Sequence, residues 1–466
     1  MPGGERPLDL GAPRRIHVVG IGGAGMSAIA TVLAAMGHRV TGSDLKASAA
    51  VERVRSSGIP VTVGHAAANV GDAELVAVST AVPAANPEVV AARRRGVPVL
   101  RRAEVLAAVV ATRRGVGVAG THGKTTTSSM LALVLVEAGL RPSFLIGGQV
   151  NEIGTGAVWD DGEWLVVEAD ESDGTFLELP LEAVVVTSVE PDHLENYEGS
   201  FDAQVDAFAR FLDRAPGPRV VCADDEVAAR LAAGTSAPGA VTYGTSEGAA
   251  YRMTGVRSAR SSVAFTVEHR GEALGTVELP VPGVHNARNA CAALVTGLLL
   301  GATFEAGAAA LGRFGGVARR FQFRGERDGV TFVDDYAHLP GEVRAVLAAA
   351  RAGGWDRVVC VFQPHRYSRT AAVAPQFAGA FADADLVVVT DVYAEGEAPR
   401  PGVTGKLVVD AVLDADPSTA LVYLPSRQDV APYLRRALRP GDLCLSAGAG
   451  DITLLAGELL RPAPVR

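Results

Sequence analysis

Lysine is nearly missing from this 466-residue chain: Lys46, Lys124 and Lys406 are the only three among 43 basic residues. A sequence that otherwise spends arginine has kept Lys124 inside a glycine turn, so that turn is the first place to look for chemistry. Cysteine is also scarce. Cys222, Cys291, Cys360 and Cys444 lie far apart with no C-x-x-C pair. This excludes a disulfide scaffold and zinc-finger spacing, and reads as buried free thiols in a reducing compartment. No apolar run reaches 18 residues, so no membrane insertion is expected. The Pro/Gly/charge-rich start lacks the hydrophobic region of a secretory signal, and a cytoplasmic location is expected. The net charge of −9 argues against nucleic acid as a partner and leaves small anionic ligands open.

What is present is apolar and glycine-rich. Hydrophobic residues make up 48%, aromatics only 5%, and glycine occurs 53 times, which suits Ala/Val/Leu-rich parallel sheets covered by helices. The length suggests about three domains. Residues 1–13 read as a flexible tail and 14–112 as a doubly wound unit, with strands at 16–20 and 39–42 flanking a helix at 25–36. A second start at Gly115 opens a central domain, 113–317, with strands near 164–168, 183–187 and 219–222. It continues through a β-rich stretch at 241–280 to a helix at 286–300. The third unit, 318–466, has strands at 330–334 and 357–362 around a helix at 340–351. Residues 110–114 are the expected first linker and Gly315-Gly316 the expected hinge.

The stretch from Gly115 to Thr127 is a buried strand, a glycine turn and a helix beginning Lys-Thr-Thr. Turn and helix N–H groups face an anion, Lys124 adds charge, and Thr125 offers a hydroxyl to Mg²⁺. Gly120, Thr121, His122, Gly123, Lys124, Thr125 and Thr126 are therefore expected to bind ATP. The loop is shorter than a strict Walker A, whose first glycine position is held here by Val118.

Five further clusters accompany it. Gly20, Gly22, Gly23 and Gly25 form a G-x-G-x-x-G turn with Asp44 nineteen residues beyond, which holds a pyrophosphate and fits a UDP-sugar as well as NAD. Asp44 accepts from ribose or base, or caps the following helix. Glu168 ends an apolar strand and suits Mg²⁺ together with Thr125, while at least two of Asp170, Glu171 and Asp173 read as a solvated turn. His193 follows another buried strand and, if the two strands are neighbours, becomes a second Mg²⁺ ligand. Asn286 and Asn289 open a helix; capping suits Asn286, and Asn289 has the donor and acceptor to read adenine. In the third unit Arg320, Asp335, Tyr336, His338, His365, Arg366 and Arg369 gather at two successive strand ends, as a substrate site would.

These segments, VGIGGAGMS, GTHGKTTT, EADESD, EPDH, HNARNA, RRFQ, DDYAH, QPHRYSRT, DVYAEGEAP and GAGDI, occur in the order and approximate spacing of the Mur ligases, which this chain resembles from about residue 14 to 460. The shortened phosphate loop is the family's form. The resemblance implies an α/β protein of three domains: an N-terminal Rossmann-like UDP-binding domain, a central P-loop-type ATPase domain and a C-terminal Rossmann-like domain. It also implies ATP-dependent amide formation, in which the lactyl carboxylate of UDP-N-acetylmuramate takes the γ-phosphate and the amine of L-alanine attacks the acyl phosphate. The implied cofactors are ATP and Mg²⁺, two ions, with Mn²⁺ as the alternative.

Carried over by position, Gly20, Gly22 and Gly25 hold the UDP diphosphate, Lys124, Thr125 and Glu168 hold ATP and Mg²⁺, and His193 holds the second ion. Asn289 contacts adenine, and Arg320 and Asp335 reach the nucleotide phosphate and ribose upon domain closure. Lys124, His193, Glu168, His338 and Arg366 are the catalytic candidates, and Tyr336, His365, Arg366 and Arg369 serve the amino-acid side. A monomer or homodimer is expected. Two departures matter: Gly-His-His-Pro of the family is Ala337-His338-Leu339-Pro340 here, and no lysine lies between 124 and 406 to be carbamylated. The second points to the alanine-adding branch. A murein-peptide recycling ligase remains the near alternative. From another class, an NAD-dependent dehydrogenase explains Gly20 to Asp44 and nothing after Gly115, and the acidic and His clusters argue against a non-catalytic nucleotide-binding module.

Overall fold

The computed structural model describes residues 8–79, 81–150, 152–172, 174–234 and 239–461. The first half of the expected tail, residues 1–7, and the carboxylate of Asp173 lie outside the described residues. The chain divides into two compact units, Met1–Thr254 with Val267–Gly275 and Arg288–Leu311, and Gly255–Thr266 with Thr276–Ala287 and Gly312–Arg466. Three α/β sheets are distributed along it.

The first sheet is built from β1 (Arg15–Val19), α1 (Ala24–Ala35), β2 (Arg39–Asp44), α2 (Ala49–Ser56), β3 (Val61–Val63), β4 (Leu75–Val78), α3 (Pro87–Arg94), β5 (Val99–Arg101) and α4 (Arg102–Val110). Its order, β3-β2-β1-β4-β5, is fully parallel and reverses direction at β1. Ligands bind at such a switch point, beyond the strand C-termini. The helices start where caps allow: Ser48 Oγ accepts from Val51 N at 3.2 Å, and Asn86 caps α3 just before Pro87.

The middle sheet comprises β6 (Arg114–Ala119), α5 (Lys124–Glu137), β7 (Ser143–Val150), β8 (Thr155–Val158), β9 (Trp164–Glu168), β10 (Leu181–Val186), α6 (Phe201–Arg214), β11 (Arg219–Cys222), α7 (Glu226–Gly234) and β12 (Ala240–Gly244). The β-rich stretch follows as β13 (Tyr251–Ser258), β14 (Val263–His269) and β15 (Glu272–Leu279), and then come α8 (Val284–Leu299) and α9 (Phe304–Leu311). Strand order is β15-β14-β13-β12-β11-β10-β6-β9-β7-β8. Thus β6 runs between β10 and β9, so the condition on which His193 would lie directly beside Glu168, that these two strands are neighbours, is not met. Val116, Val118, Val166, Val167, Val184 and Val185 are at most 1% exposed, each contributing roughly 1.5–3 kcal/mol by burial. Helix α5 is buried from Thr126 to Leu135. A helix enclosed on every face fixes its own N-terminus, and with it the phosphate turn.

The third sheet contains β16 (Gln322–Arg327), β17 (Val330–Asp335), α10 (Pro340–Ala352), β18 (Arg357–Phe362), α11 (Tyr367–Val373), β19 (Leu386–Val389), α12 (Lys406–Ala415), β20 (Leu421–Tyr423), α13 (Arg427–Ala437), β21 (Asp442–Ala447) and α14 (Leu455–Leu460). The order is β16-β17-β21-β18-β19-β20, with only β16 antiparallel. The two clusters read as lying at successive strand ends are therefore separated by the end of β21. All four cysteines are buried free thiols, and burial pushes each thiol up. The expected linker at 110–114 is taken up by the end of α4 and the start of β6, with Arg113 and Arg114 stacked on Trp159 and Trp164. The boundary between units at Leu311–Gly312 falls just before the Gly315-Gly316 pair.

Candidate active site

The chain leaves β6 at Gly120, whose φ of +134° and tight approach to Thr187 Oγ1 leave no room for a side chain. Gly123 (φ +81°) starts α5, and a Cβ there would collide with Asn289 Oδ1. The turn is tied to the segment after β10. Thr121 N donates to Ser188 O at 2.9 Å, His122 N to Ser188 Oγ at 3.1 Å, and Glu190 N to Thr121 Oγ1 at 2.8 Å. This corrects the expectation that every turn N–H faces the anion: those of Thr121 and His122 are spent on holding the turn. The first N–H groups of α5, which have no acceptor within the helix, remain to meet phosphate. Asn289, expected at adenine, packs its amide on Gly123. Asn286 donates from Nδ2 to Pro282 O at 2.7 Å and so does not cap the helix as expected.

Lys124 Nζ donates to Gly120 O and to Glu171 Oε1, both at 2.7 Å. Burial by itself would depress its pKa, yet the charges of Glu171, Asp170 and Glu168 outweigh burial and raise it. Glu171 is only 2% exposed, so it is not one of the solvated acids expected among Asp170, Glu171 and Asp173, and burial raises its carboxyl. Its second oxygen, Oε2, is buried with no hydrogen-bond partner among the described residues. Asp170 is likewise partly buried; burial opposes its charge, but Lys124 and Ser172 hold it below the usual range.

At the end of β9, Glu168 accepts from Thr125 Oγ1 at 2.9 Å and from Gly147 N at 2.8 Å. His193 sits on the other side of β6, in the left-handed region (φ 51°), 3.5 Å from Asp192 Oδ2 and within electrostatic reach of Asp170. Asn196 and Tyr197 bond the carbonyls of Ser172 and Glu171, so the two acid-bearing turns are joined. Among the described residues no group of three or more His, Cys, Asp or Glu is placed to hold a metal alone.

In the first sheet Gly20 N and Ile21 N donate to Ser43 O, and Gly22 N donates to Asp44 Oδ2 at 2.8 Å. Asp44 thus braces the glycine turn, and Ser48 rather than Asp44 caps the next helix. A cleft of about 170 Å³ runs from Gly25, past Arg102 and Leu106, to Gly147, Glu168 and Asp170. It places the turn of the first sheet and the acid beside the phosphate loop along one cavity.

The C-terminal cluster is compact. Asp335 accepts from Phe321 N at 2.6 Å and Ala337 N at 2.7 Å, and burial pushes its carboxyl up to about 6 against the pull of Arg320. The guanidinium groups of Arg319 and Arg320 both lie over the Tyr336 ring, at 4.9 and 5.3 Å from its centre. His338 meets the rings of Tyr336 and His365 edge-on at 5.3 and 5.7 Å. Burial, then His338, Arg369 and Arg366, lower His365 to about 3, so its ring is neutral at working pH. Arg369 Nη1 is 3.2 Å from His365 Nδ1, and Arg366 holds a φ of +63° at the head of α11. Leu339, where the second histidine would stand, is a 5%-exposed packing position. Tyr393 and Arg102 were not singled out as site residues by sequence reasoning. The stacking of Tyr393 on His365 (6.0 Å) joins segments 28 residues apart and leaves no local signal.

Comparison with known proteins bears on this constellation directly. The family model "Mur ligase family, catalytic domain" matches residues 15–114, the "Mur ligase middle domain" 118–297, and the "Mur ligase, glutamate ligase domain" 319–450. The chain belongs to the Mur ligase family. It is an ATP-using ligase of three-domain α/β architecture. The Mur ligase is similar to the UDP-N-acetylmuramate--L-alanine ligase of Saccharopolyspora erythraea, 50% identical over 96% of this chain and 92% of that protein. The protein of the same description from Pelotomaculum thermopropionicum is 46% identical over 96% and 97%. Among solved structures, the UDP-N-acetylmuramate-alanine ligase of Thermotoga maritima aligns with a TM-score of 0.79 and 31% identity, over 96% of this chain and 98% of that one. A murein peptide ligase of Psychrobacter arcticus shares the fold at a TM-score of 0.69 and 22% identity.

Proposed function

We propose that this Mur ligase joins L-alanine to the lactyl carboxylate of UDP-N-acetylmuramate at the expense of ATP, in peptidoglycan precursor synthesis. The observation that carries this reading is the cleft from the Gly25 turn to Glu168, which ends beside Thr125 and Lys124. A substrate with its diphosphate on the turn at Gly20, Gly22, Gly23 and Gly25 then directs its other end at the phosphate loop. The 43–50% identity to relatives described as alanine ligases supports alanine as the acceptor.

The residues fit the proposed ligands. Gly120 and Gly123 keep a cradle free of side chains, and the first N–H groups of α5 point to an anion. The Thr125 hydroxyl and Glu168 carboxylate offer two hard oxygens 2.9 Å apart, a donor set suited to Mg²⁺ that keeps water and phosphate ligands. When bound, Mg²⁺ supplies charge neutralisation on the transferring phosphoryl group. His193, near Asp170, is the proposed ligand of a second ion. Lys124, kept protonated by its acids, stabilises the charge that develops as a carboxylate oxygen attacks the γ-phosphorus and ADP departs. The acyl phosphate makes the carbonyl carbon electrophilic. The alanine ammonium gives one proton to water, the free amine attacks the carbonyl carbon, and the tetrahedral intermediate collapses with phosphate as the leaving group and the second N–H proton released to water. Neutral His365, with Tyr336, His338, Arg366 and Arg369, is assigned to the amino acid and the acyl phosphate, and Arg320, Asp335 and Asn289 to ATP.

Domain limits of 14–112, 113–317 and 318–466, a cytoplasmic location and a monomeric or homodimeric state complete the reading. Among the described residues no helix is long and apolar enough to cross a membrane. The test is phosphate release from ATP·Mg²⁺ with UDP-N-acetylmuramate, with and without L-alanine, and with L-Ala-γ-D-Glu-meso-diaminopimelate as the competing acceptor. Release that requires L-alanine is expected; release only with the tripeptide reassigns the chain to recycling, and release with neither overturns the ligase reading.

A further inference from the structure

Arg366 has a backbone that an arginine adopts only under constraint. Its φ of +63° with ψ of +138° lies close to the region that glycine alone populates freely. Such strain persists where the surroundings over-determine it. Arg366 N donates to Tyr393 O at 2.8 Å, and Arg366 O accepts from Thr370 N at 3.0 Å and from Thr370 Oγ1 at 2.8 Å. Its Nε is buried with no hydrogen-bond partner among the described residues, so the guanidinium is enclosed without being satisfied.

The constraint comes from the segment between β19 and α12. Asp391 Oδ1 accepts from Val392 N at 2.9 Å and from Gly405 N at 2.8 Å, which pinches the two ends of that segment together. Tyr393 N donates to Pro364 O at 2.9 Å, and the Tyr393 side chain packs so close on Gly450 that a Cβ there would collide with it. Glu395 (φ 46°) and Gly396 (φ 87°) then reverse the chain, with Glu397 N bonded to Ala394 O at 2.9 Å. The reversal brings the Glu397 carboxylate to the first turn of α11, where it accepts from Ser368 N at 2.9 Å and from the Ser368 hydroxyl. Burial opposes its charge, but Ser368 and Arg400 hold the carboxyl below the usual range. No acid of α11 itself occupies its first turn.

We propose that Glu397 is a positioning residue: with the Tyr393 carbonyl it clamps the head of α11, so that Arg366 stays in its strained conformation with its guanidinium set for the carboxylate of the incoming amino acid. The planar fork of an arginine binds a carboxylate best when its orientation is fixed beforehand. The clamp fixes it on folding, so less freedom is lost on binding. The identity of the ligand rests on the ligase reading, whereas the clamp is also measured without any ligand.

The experiment combines Glu397→Ala with Arg366→Ala and with Arg366→Gly, read by thermal unfolding and by phosphate release. With Glu397 in place, Arg366→Gly melts about 2 °C or more above Arg366→Ala, because glycine takes the strained conformation freely and this outweighs its larger unfolded-state entropy. With Glu397→Ala the order reverses, since a relaxed backbone favours alanine. At saturating ATP and UDP-N-acetylmuramate, Glu397→Ala raises the KM for L-alanine by about 20-fold and leaves kcat within about threefold. Glu397→Gln, which still accepts from Ser368, recovers part of that loss. In the Arg366→Ala background Glu397→Ala adds no further rise, because it acts through the missing guanidinium. A glycine advantage that is the same with and without Glu397 overturns the clamp, as does a KM rise that persists undiminished in the Arg366→Ala background. Glu397→Leu, which keeps side-chain volume without the acceptors, replaces Glu397→Ala if that variant shows no cooperative melt. Should wild-type phosphate release not require L-alanine, the ligase reading fails while the melting comparison still decides the clamp.

Discussion

Replacing Lys124 by methionine should damage stability as well as catalysis, because the ammonium is also the partner of a buried acid. The Lys124 and Glu171 side chains are 15% and 3% exposed and 2.7 Å apart. At an effective dielectric of ~20 their attraction is about 6 kcal/mol before desolvation is subtracted. Removing one member of such a pair costs about 3–5 kcal/mol because the other charge stays buried and unpaired. Glu171 has little compensation, since its Oε2 has no hydrogen-bond partner among the described residues. Lys124→Met should therefore lower the unfolding free energy of the transition that reports the middle sheet by about 3 kcal/mol at pH 8. The deficit should shrink toward about pH 5 as Glu171 takes up a proton, because a carboxyl raised by burial destabilises the fold only above its unfolded pKa. The double variant Lys124→Met/Glu171→Gln should regain most of the stability and none of the activity. Urea titrations of the four proteins at two pH values, with phosphate-release assays, form the double-mutant cycle. A Lys124→Met single variant as stable as wild type at pH 8 would refute the reasoning.

Gly123→Ala places a Cβ against Asn289 Oδ1 at a φ of +81°, so it should cost about 1–3 kcal/mol and abolish ATP binding, measured by calorimetry; retained ATP affinity would contradict the assigned cradle. Glu88 is fully buried, and although burial opposes its charge, His17, Ser43, Asn69 and Ala66 N lower its carboxyl from 4.5 to about 2. Its contribution of up to about 3 kcal/mol is present above pH ~4.5 and lost as pH falls toward 2; Glu88→Gln should flatten thermal stability between pH 3 and 5, and an unchanged slope would refute this. With His365 lowered to about 3, its ring proton resonances should not titrate between about pH 5.5 and 8.5, and a midpoint near 6.5 would remove the neutral imidazole from the mechanism.

Local chemistry was legible in the sequence wherever adjacent residues made the site. The phosphate loop reads directly because strand, glycines, Lys124 and Thr125 are contiguous, and the Glu168 strand because Trp164–Glu168 is apolar up to its last residue. Long-range register was not legible. Nothing local to 164–168 or 181–186 says that β6 inserts between those strands, nor that β21 inserts between β17 and β18. Strand β16 escaped because its sequence QFRGER is polar and Phe323 is 63% exposed, as befits an edge strand whose stability comes from pairing with β17. Which of Asp170, Glu171 and Asp173 would be buried was not legible, because only the folded chain shows that Lys124 comes to lie against Glu171. Asp44 offered ribose, base or cap, and the choice of Gly22 N depends on a turn 22 residues away.

The central claim is that the chain activates a substrate carboxylate by phosphorylation at the Lys124–Glu168 end of the cleft. The most direct test is UDP-N-acetylmuramate labelled with ¹⁸O in its lactyl carboxylate, turned over with ATP and L-alanine, with mass analysis of the phosphate released. One labelled oxygen per phosphate is the predicted result, because the attacking oxygen leaves with the phosphoryl group. Phosphate free of label, with both labelled oxygens unaccounted for in it, would contradict the acyl-phosphate route and the role assigned to the phosphate loop.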